Sequence, residues 1–176
     1  MSVEEILEKL KIEFPESQFT VEDELPAEPY IIVDALELPK ICRFLRDNDS
    51  LLFDSLMNLS GVDDDNAVKT KDEEGNERLE GRTLSVYYHL HSMKLDHKVA
   101  LKVSVPIEKP EVESVESVWK CADWHEREAY DMFGLIFLNH PNLSRILMPY
   151  DWDEGSYPLR KDFETPEFYN GMKVPY

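Results

Sequence analysis

The sequence predicts an α+β fold, a two-layer sandwich of helices on a mainly antiparallel sheet, followed by an extended Pro-rich C-terminal arm. Three observations predict it. "RTLSVYYHLHS" (82–92) and "HKVALKVSVP" (97–106) alternate apolar and polar residues, with Leu84, Val86, Tyr88 and Leu90 on one face of the first and Val99, Leu101, Val103 and Val105 on one face of the second. Period-2 runs this close together form a hairpin. Three further segments place their apolar residues at helical spacing, and the last 37 residues, 140–176, hold five of the eleven prolines and two of the six glycines. No regular element continues through that composition.

Along the chain, residues 2–14 form the first helix, with Ser2 and Glu5 as a capping box, Val3, Ile6, Leu7 and Leu10 as the apolar stripe, and Pro15 as the stop. "YIIVD" (30–34) is a short β-branched strand leading into a helix over 38–47 with Pro39 in its first turn. "LLFDSLMNLSGVD" (51–63) fits neither period cleanly; its place before the hairpin makes it a strand. Residues 62–81 are polar and charged, an exposed hairpin loop expected to carry no chemistry. Pro106 and Pro110 stiffen a crossover over 106–112, and "ESVESVWKCADWHEREAYDMFG" reads as one long helix with Val115, Val118, Ala122, Ala129 and Met132 as its stripe and Gly134 as its end. The domain division is therefore a globular part, 1–134, and an arm, 135–176. The arm is too apolar for a solvated tail: Leu143, Ile146, Leu147, Tyr150, Trp152 and Phe163 must lie against the chain's own domain or a partner.

Composition narrows the function. Hydrophobic residues make up 42% of the chain, and no apolar run approaches the roughly 18 residues a membrane span requires. Glu4 and Glu5 stand where a secretory signal carries positive charge, so the expected location is cytoplasmic. A net charge of −18 repels phosphate backbones, which makes nucleic acid an unsuitable partner. Cys42 and Cys121 are expected as buried free thiols, and two thiols cannot by themselves supply a four-cysteine cluster.

"HEREAYDMFG" (125–134) crowds ionisable groups into seven positions. A zinc-protease helix would need a second histidine four residues after His125, and that position is Ala129. His89 and His91 share one strand face and, with His97 across the hairpin, are the remaining zinc candidates, a free-standing metalloenzyme being the remote alternative. The bland reading makes them polar positions on a half-exposed strand. No GxGxxG, GxxxxGK[ST] or GxSxG pattern occurs. Cys121 and His125 lie one helical turn apart among Glu113, Glu116 and Asp123, the wrong field for a reactive thiol. The charge cluster also has a bland reading, a solvated helix face with Asp123 paired to Arg127. Against it stand Arg145, Arg160, Lys161 and Asp162, charged residues set among apolar ones in an arm without regular structure, where arginines tend to be held by carboxylates in two-pronged pairs.

The run "DWHEREAYDMFGLIFLNHPNLSRILMPYDWDEGSYPLRKDF" (123–163) closely resembles the signature of the 30-kDa subunit of respiratory complex I, the NADH-quinone oxidoreductase. Glu126, Arg127, Glu128, Tyr130, Asp131, Phe133, Gly134, His140, Pro141, Arg145, Pro158, Leu159, Arg160, Lys161 and Asp162 match it residue by residue. Leu135, Ser144 and Tyr157 depart from it, and Ser144 removes one ion pair.

The resemblance implies a non-catalytic subunit of a proton-pumping complex, peripheral on the cytoplasmic side and packed against the 49-kDa polypeptide near the quinone site. It implies no catalytic, cofactor or metal residues in this chain, with FMN and the iron–sulfur clusters in other subunits. On this resemblance Glu126, Arg127, Glu128, Tyr130 and Asp131 form ion pairs that lock the start of the arm, and residues 140–162 wrap the partner. A homologous subunit of an energy-converting hydrogenase, or of a ferredoxin- or plastoquinone-linked complex, is the alternative within the same superfamily.

Overall fold

Helix α1 (Val3–Glu13) begins as the sequence dictates: Glu5 N–H donates to Ser2 Oγ at 3.3 Å and Ser2 N–H to the Glu5 carboxylate at 2.8 Å. The computed structural model describes residues 1–23, 28–71 and 77–174. Strands β1 (Thr20–Glu22) and β2 (Tyr30–Ile32) follow, then α2 (Leu38–Asp47) with Pro39 in its first turn. Strand β3 (Ser55–Asp63) confirms the ambiguous stretch as extended from Ser55 onward, with a bulge between Leu56 and Asn58 that explains its irregular period. After the hairpin β4 (Val68–Lys71) and β5 (Glu77–Glu80) come the two long strands, β6 (Thr83–Ser92) and β7 (His97–Pro106), in the expected antiparallel register.

The main sheet has five strands in the order β1-β2-β7-β6-β3, antiparallel except for β2 against β7. Leu84, Val86, Tyr88 and Leu90 are buried on one face together with Leu101 and Val103, and Ile6 and Leu10 of α1 and Ile41, Cys42 and Leu45 of α2 complete the core. On the opposite face the Lys102 ammonium sits between the rings of Tyr30 and Tyr87, at 5.6 and 5.4 Å from their centroids.

Four expectations need correcting. The long helix starts at Ala122, as α3 (Ala122–Phe133); before it, Glu111–Glu113 forms β8, which pairs in parallel with β9 (Ile136–Leu138). Val115 and Val118 are buried as predicted, but in a turn, and a three-residue strand is too short to show a period. β1 escapes the sequence reading for the same reason. The boundary at 134 cuts through packed structure, because Leu135 and Phe137 are buried in the core. Cys42 is a buried free thiol, whereas Cys121 is exposed. Beyond β9 the arm has only the short pair β10 (Phe168–Tyr169) and β11 (Met172–Lys173) among its described residues.

Glycine matters at two positions. Gly61 lies beneath α3, where a Cβ would stand 2.7 Å from Phe133 Cδ2; its absence lets helix and strand approach. Gly134 ends α3 with φ +74°, the left-handed conformation that closes a helix.

Candidate functional site

The residues singled out in the sequence converge where α3 meets the arm. Asp131, fully buried on the last turn of α3, accepts from three consecutive backbone N–H groups of the arm: Ile146 at 3.1 Å, Leu147 at 2.7 Å and Met148 at 2.8 Å. Its other oxygen takes Arg145 Nη1 at 3.0 Å. Burial alone would raise the Asp131 carboxyl, but the three N–H donors and Arg145 outweigh it and hold the group below its ordinary value. The arm starts its course as a loop wrapped around one carboxylate.

A second attachment lies two residues on, at the end of α3. Arg160 donates through Nε to the Phe133 carbonyl at 2.6 Å, at the C-terminus of α3, and its guanidinium stacks on Tyr157 with 4.3 Å between Cζ and the ring centroid. Both groups lie over Gly134, where a Cβ would be 2.6 Å from Tyr157 Cε2 and 2.8 Å from Arg160 Nη2. Leu159 N–H reaches the Met132 carbonyl at 3.2 Å.

A third attachment uses residues the sequence reading did not select. Asp63 at the end of β3, with its side chain 1% exposed, holds Arg82 in a two-pronged pair and accepts Lys161 N–H at 2.9 Å. Arg82 in turn reaches Asp162 at 3.0 Å. Burial would raise Asp63, yet Arg82 and the N–H groups of Lys161 and Asp65 bring it below the ordinary carboxylate value. Asp63 opens an acidic run that reads as a solvated loop, so only its place at a strand end beneath α3 marks it.

The remaining candidates divide. Glu126 is fully buried, but its partners are Ser114 Oγ at 2.6 Å and Val115 N–H at 2.7 Å, not an arginine. Arg127 does not pair with Asp123; it donates to the Ser144 carbonyl and hydroxyl at 3.1 and 3.0 Å and lies over the Trp124 ring. Ser144 thus supplies acceptors to Arg127. His140 packs its fully buried ring against the first turn of α3, 3.3 Å from the Asp123 carbonyl. Glu128 and Pro141 are exposed, Tyr130 and Pro158 half-buried. Of the expected ion pairs at the helix end, Asp131 with Arg145 is the one formed to the arm.

The zinc candidates do not converge. His91 stands opposite Lys98 and His89 opposite Ala100, so His97, opposite Ser92, lies on the other face of the hairpin. There its Nε2 is 2.8 Å from the Leu51 carbonyl. His91 is 3.4 Å from Asp96. No group of three or more metal-ligating side chains occurs among the described residues.

While its backbone is tied down, the arm turns apolar side chains outward. Leu147 is 58% exposed, Tyr150 fully exposed and Leu159 54% exposed, and Trp124 on α3 beside Arg127 is 61% exposed. No described helix is long and apolar enough to cross a membrane.

Residues 31–169 match the family model described as "Respiratory-chain NADH dehydrogenase, 30 Kd subunit". An NADH-quinone oxidoreductase subunit from Chloroherpeton thalassium is 41% identical over 156 residues, covering 88% of this chain and 58% of that protein. One from Chlorobium phaeobacteroides is 42% identical over 146 residues, covering 82% and 78%. The chain thus spans little more than half the length of the first relative. Among solved structures, the trypsin-resistant fragment (1–134) of Nqo5 superposes with a TM-score of 0.59 at 23% identity, over 81% of this chain and all of the fragment. A chain of the membrane-bound sulfane sulfur reductase, an archaeal respiratory membrane complex, gives 0.58 at 22% identity, over 92% and 85%. These two likenesses agree on the fold. With the family model spanning most of the sequence and the relatives near 40% identity, this chain belongs to the family of the 30-kDa subunit of respiratory complex I, the NADH-quinone oxidoreductase.

Proposed function

We propose that this chain is a non-catalytic structural subunit of the peripheral arm of a proton-pumping NADH-quinone oxidoreductase, on the cytoplasmic side of the membrane, docked on a polypeptide of the 49-kDa type. The observation that carries the reading is the pinned arm: its backbone is held by Asp131, Asp63 and the C-terminus of α3 while Leu147, Tyr150 and Leu159 stay exposed. Exposed aromatic and aliphatic side chains on a rigid support, flanked by Arg and Trp, are the usual makings of a binding hot spot. The role of this chain is to hold its neighbours in register. NADH oxidation at FMN and electron passage through iron–sulfur clusters to quinone belong to the other subunits.

The second reading is the equivalent subunit of a related energy-converting complex with another electron donor; the likeness to the sulfane sulfur reductase chain favours keeping it. One experiment tests both. The chain is tagged in its host, the membranes are solubilised gently, and co-purifying proteins are identified by mass spectrometry. Recovery of a 49-kDa-type polypeptide with flavin and iron–sulfur subunits supports the first reading, and recovery of the same core without flavin subunits supports the second. Recovery of the chain alone with stoichiometric zinc overturns both.

A further inference from the structure

We propose that Glu126 is a buried proton-binding site that links the seating of the C-terminal arm to pH. The site is built where the arm leaves β9 and folds back onto the first turn of α3. There, His140 Nδ1 accepts Asn142 N–H at 3.0 Å, so the ring carries its proton on Nε2. That single N–H faces three oxygens: the Asp123 carbonyl at 3.3 Å, Asp123 Oδ1 at 3.3 Å and Glu126 Oε2 at 3.9 Å. The Glu126 and His140 side chains are both fully buried, and Asp123 Oδ1 is a buried oxygen left without a hydrogen bond. Both carboxylates turn to the same His140 N–H, Glu126 has besides it the Ser114 hydroxyl and Val115 N–H, and no lysine or arginine among the described residues pairs with either.

The surroundings do not relieve this excess of acceptors. Facing Glu126 are Asp123 from its own helix, His140 from the arm, Ser114 and Glu116 from the connection before α3, Cys42 from α2 and Tyr88 from β6. Glu116 is held by Lys120 at 2.5 Å. Cys42 is a neutral buried thiol, and the Tyr88 hydroxyl is buried without a partner. An ionised Glu126 therefore places a fully buried negative charge beside another carboxylate, a costly state. A proton on Oε2 removes the charge, and the Ser114 hydroxyl, which already accepts Glu116 N–H at 3.1 Å, turns to accept from it. Val115 N–H remains on Oε1. A cation in place of the proton would need a lone pair on His140 Nε2, and the bond from Asn142 leaves none there.

Burial carries the Glu126 carboxyl up to about 7, with the bonds from Ser114 and Val115 opposing the rise. A carboxyl raised in the folded state gives stability that is complete below its ordinary value of 4.5 and is lost as pH climbs through about 7. The arm should therefore sit most firmly on the acid side of neutrality. The proton site stands on this chain's own groups, whereas its consequence for assembly rests on the docking role proposed above.

The test uses the full chain, isotope-labelled, with the Glu126 Cδ and Asn142 amide resonances followed across pH. Both should shift together with a midpoint near 7. The unfolding constant should rise roughly tenfold per pH unit between about 5 and 7, and Glu126→Gln should remove that slope. A Glu126 midpoint in the ordinary carboxylate range, or an unchanged slope in Glu126→Gln, overturns the proposal. If Glu126→Gln fails to fold, Ser114→Ala serves: loss of a donor to the ionised form should move the midpoint upward, and an unmoved midpoint is equally fatal. In the assembled complex, co-recovery of the partner should fall between slightly acidic and slightly alkaline buffer for the parent only. If Glu126 titrates as expected, co-recovery ignores pH and Asp131→Ala still loses the partner, the link to assembly is overturned while docking survives. If Asp131→Ala also keeps the partner, the docking role itself falls.

Discussion

Asp131 and Arg145 meet at 3.0 Å across the junction of helix and arm, and the same carboxylate closes three arm N–H groups in succession. Truncating such a group leaves a half-buried guanidinium and three amides without their acceptor. Asp131→Ala should lower stability by about 3–5 kcal/mol, measured by urea unfolding of the full chain. A loss below about 1 kcal/mol would show that the arm seats by apolar contact alone.

Acid should act on the same junction. Asp131 and Asp63 are both held below their ordinary value of 3.8, so each contributes stability that is complete above that value and is lost as pH falls through its lowered one. The arm should release on acidification below about pH 4, before or together with the sheet. The fluorescence of Trp152, which lies in the arm, monitors this release; Asp131→Asn and Asp63→Asn should each flatten part of the acid limb.

Gly134 and Gly155 offer a matched comparison. Both adopt positive φ, +74° and +80°, but a Cβ at Gly134 would overlap Tyr157 and Arg160, whereas at Gly155 it meets nothing within 4 Å. Gly155→Ala should cost about 1–2 kcal/mol, the conformational penalty alone. Gly134→Ala should cost about 1–3 kcal/mol more from overlap, read as the difference in unfolding free energy. Equal costs would mean that Tyr157 and Arg160 move aside freely.

Exposed residues should behave in the opposite way. Tyr150 is fully exposed, so Tyr150→Ser should change stability by no more than about 0.5 kcal/mol, and Trp124→Ser, which also removes the ring beneath Arg127, by about 1 kcal/mol, while co-recovery of the partner should fall severalfold in both. Wild-type co-recovery in both variants would move the docking surface elsewhere on the chain.

How much of this was legible depends on whether an element announces itself within its own length. β6 and β7, ten residues each with strict alternation, appear in the sequence as they do in the fold, and the Ser2–Glu5 cap marks the start of α1. β1, β8 and β9, at three residues each, exist through partners remote in sequence and leave no periodic trace. The same holds at the site. Asp131, Arg160 and Gly134 stood out because charge or glycine in that context is unusual, but which groups they bind depends on how the arm returns. Asp63 looked like an ordinary member of a charged loop, and Arg82 like the polar first residue of a strand, until the fold brought the arm to them. Glu126 was expected in an ion pair; burial gave it a serine and a backbone amide instead.

The two-pronged pair of Arg82 with Asp63 closes the neck of the β4–β5 hairpin. The residues just inside it reinforce the closure: Asp64 accepts from the Thr83 and Ser85 hydroxyls, and Asn66 accepts Thr83 N–H at 2.9 Å. Substitutions within β4 and β5 should therefore leave the register of β3 against β6 undisturbed. The two residues at its base, together with Asp162 and Lys161 in the arm, form one connected unit that ties the hairpin's root to the seat of the arm.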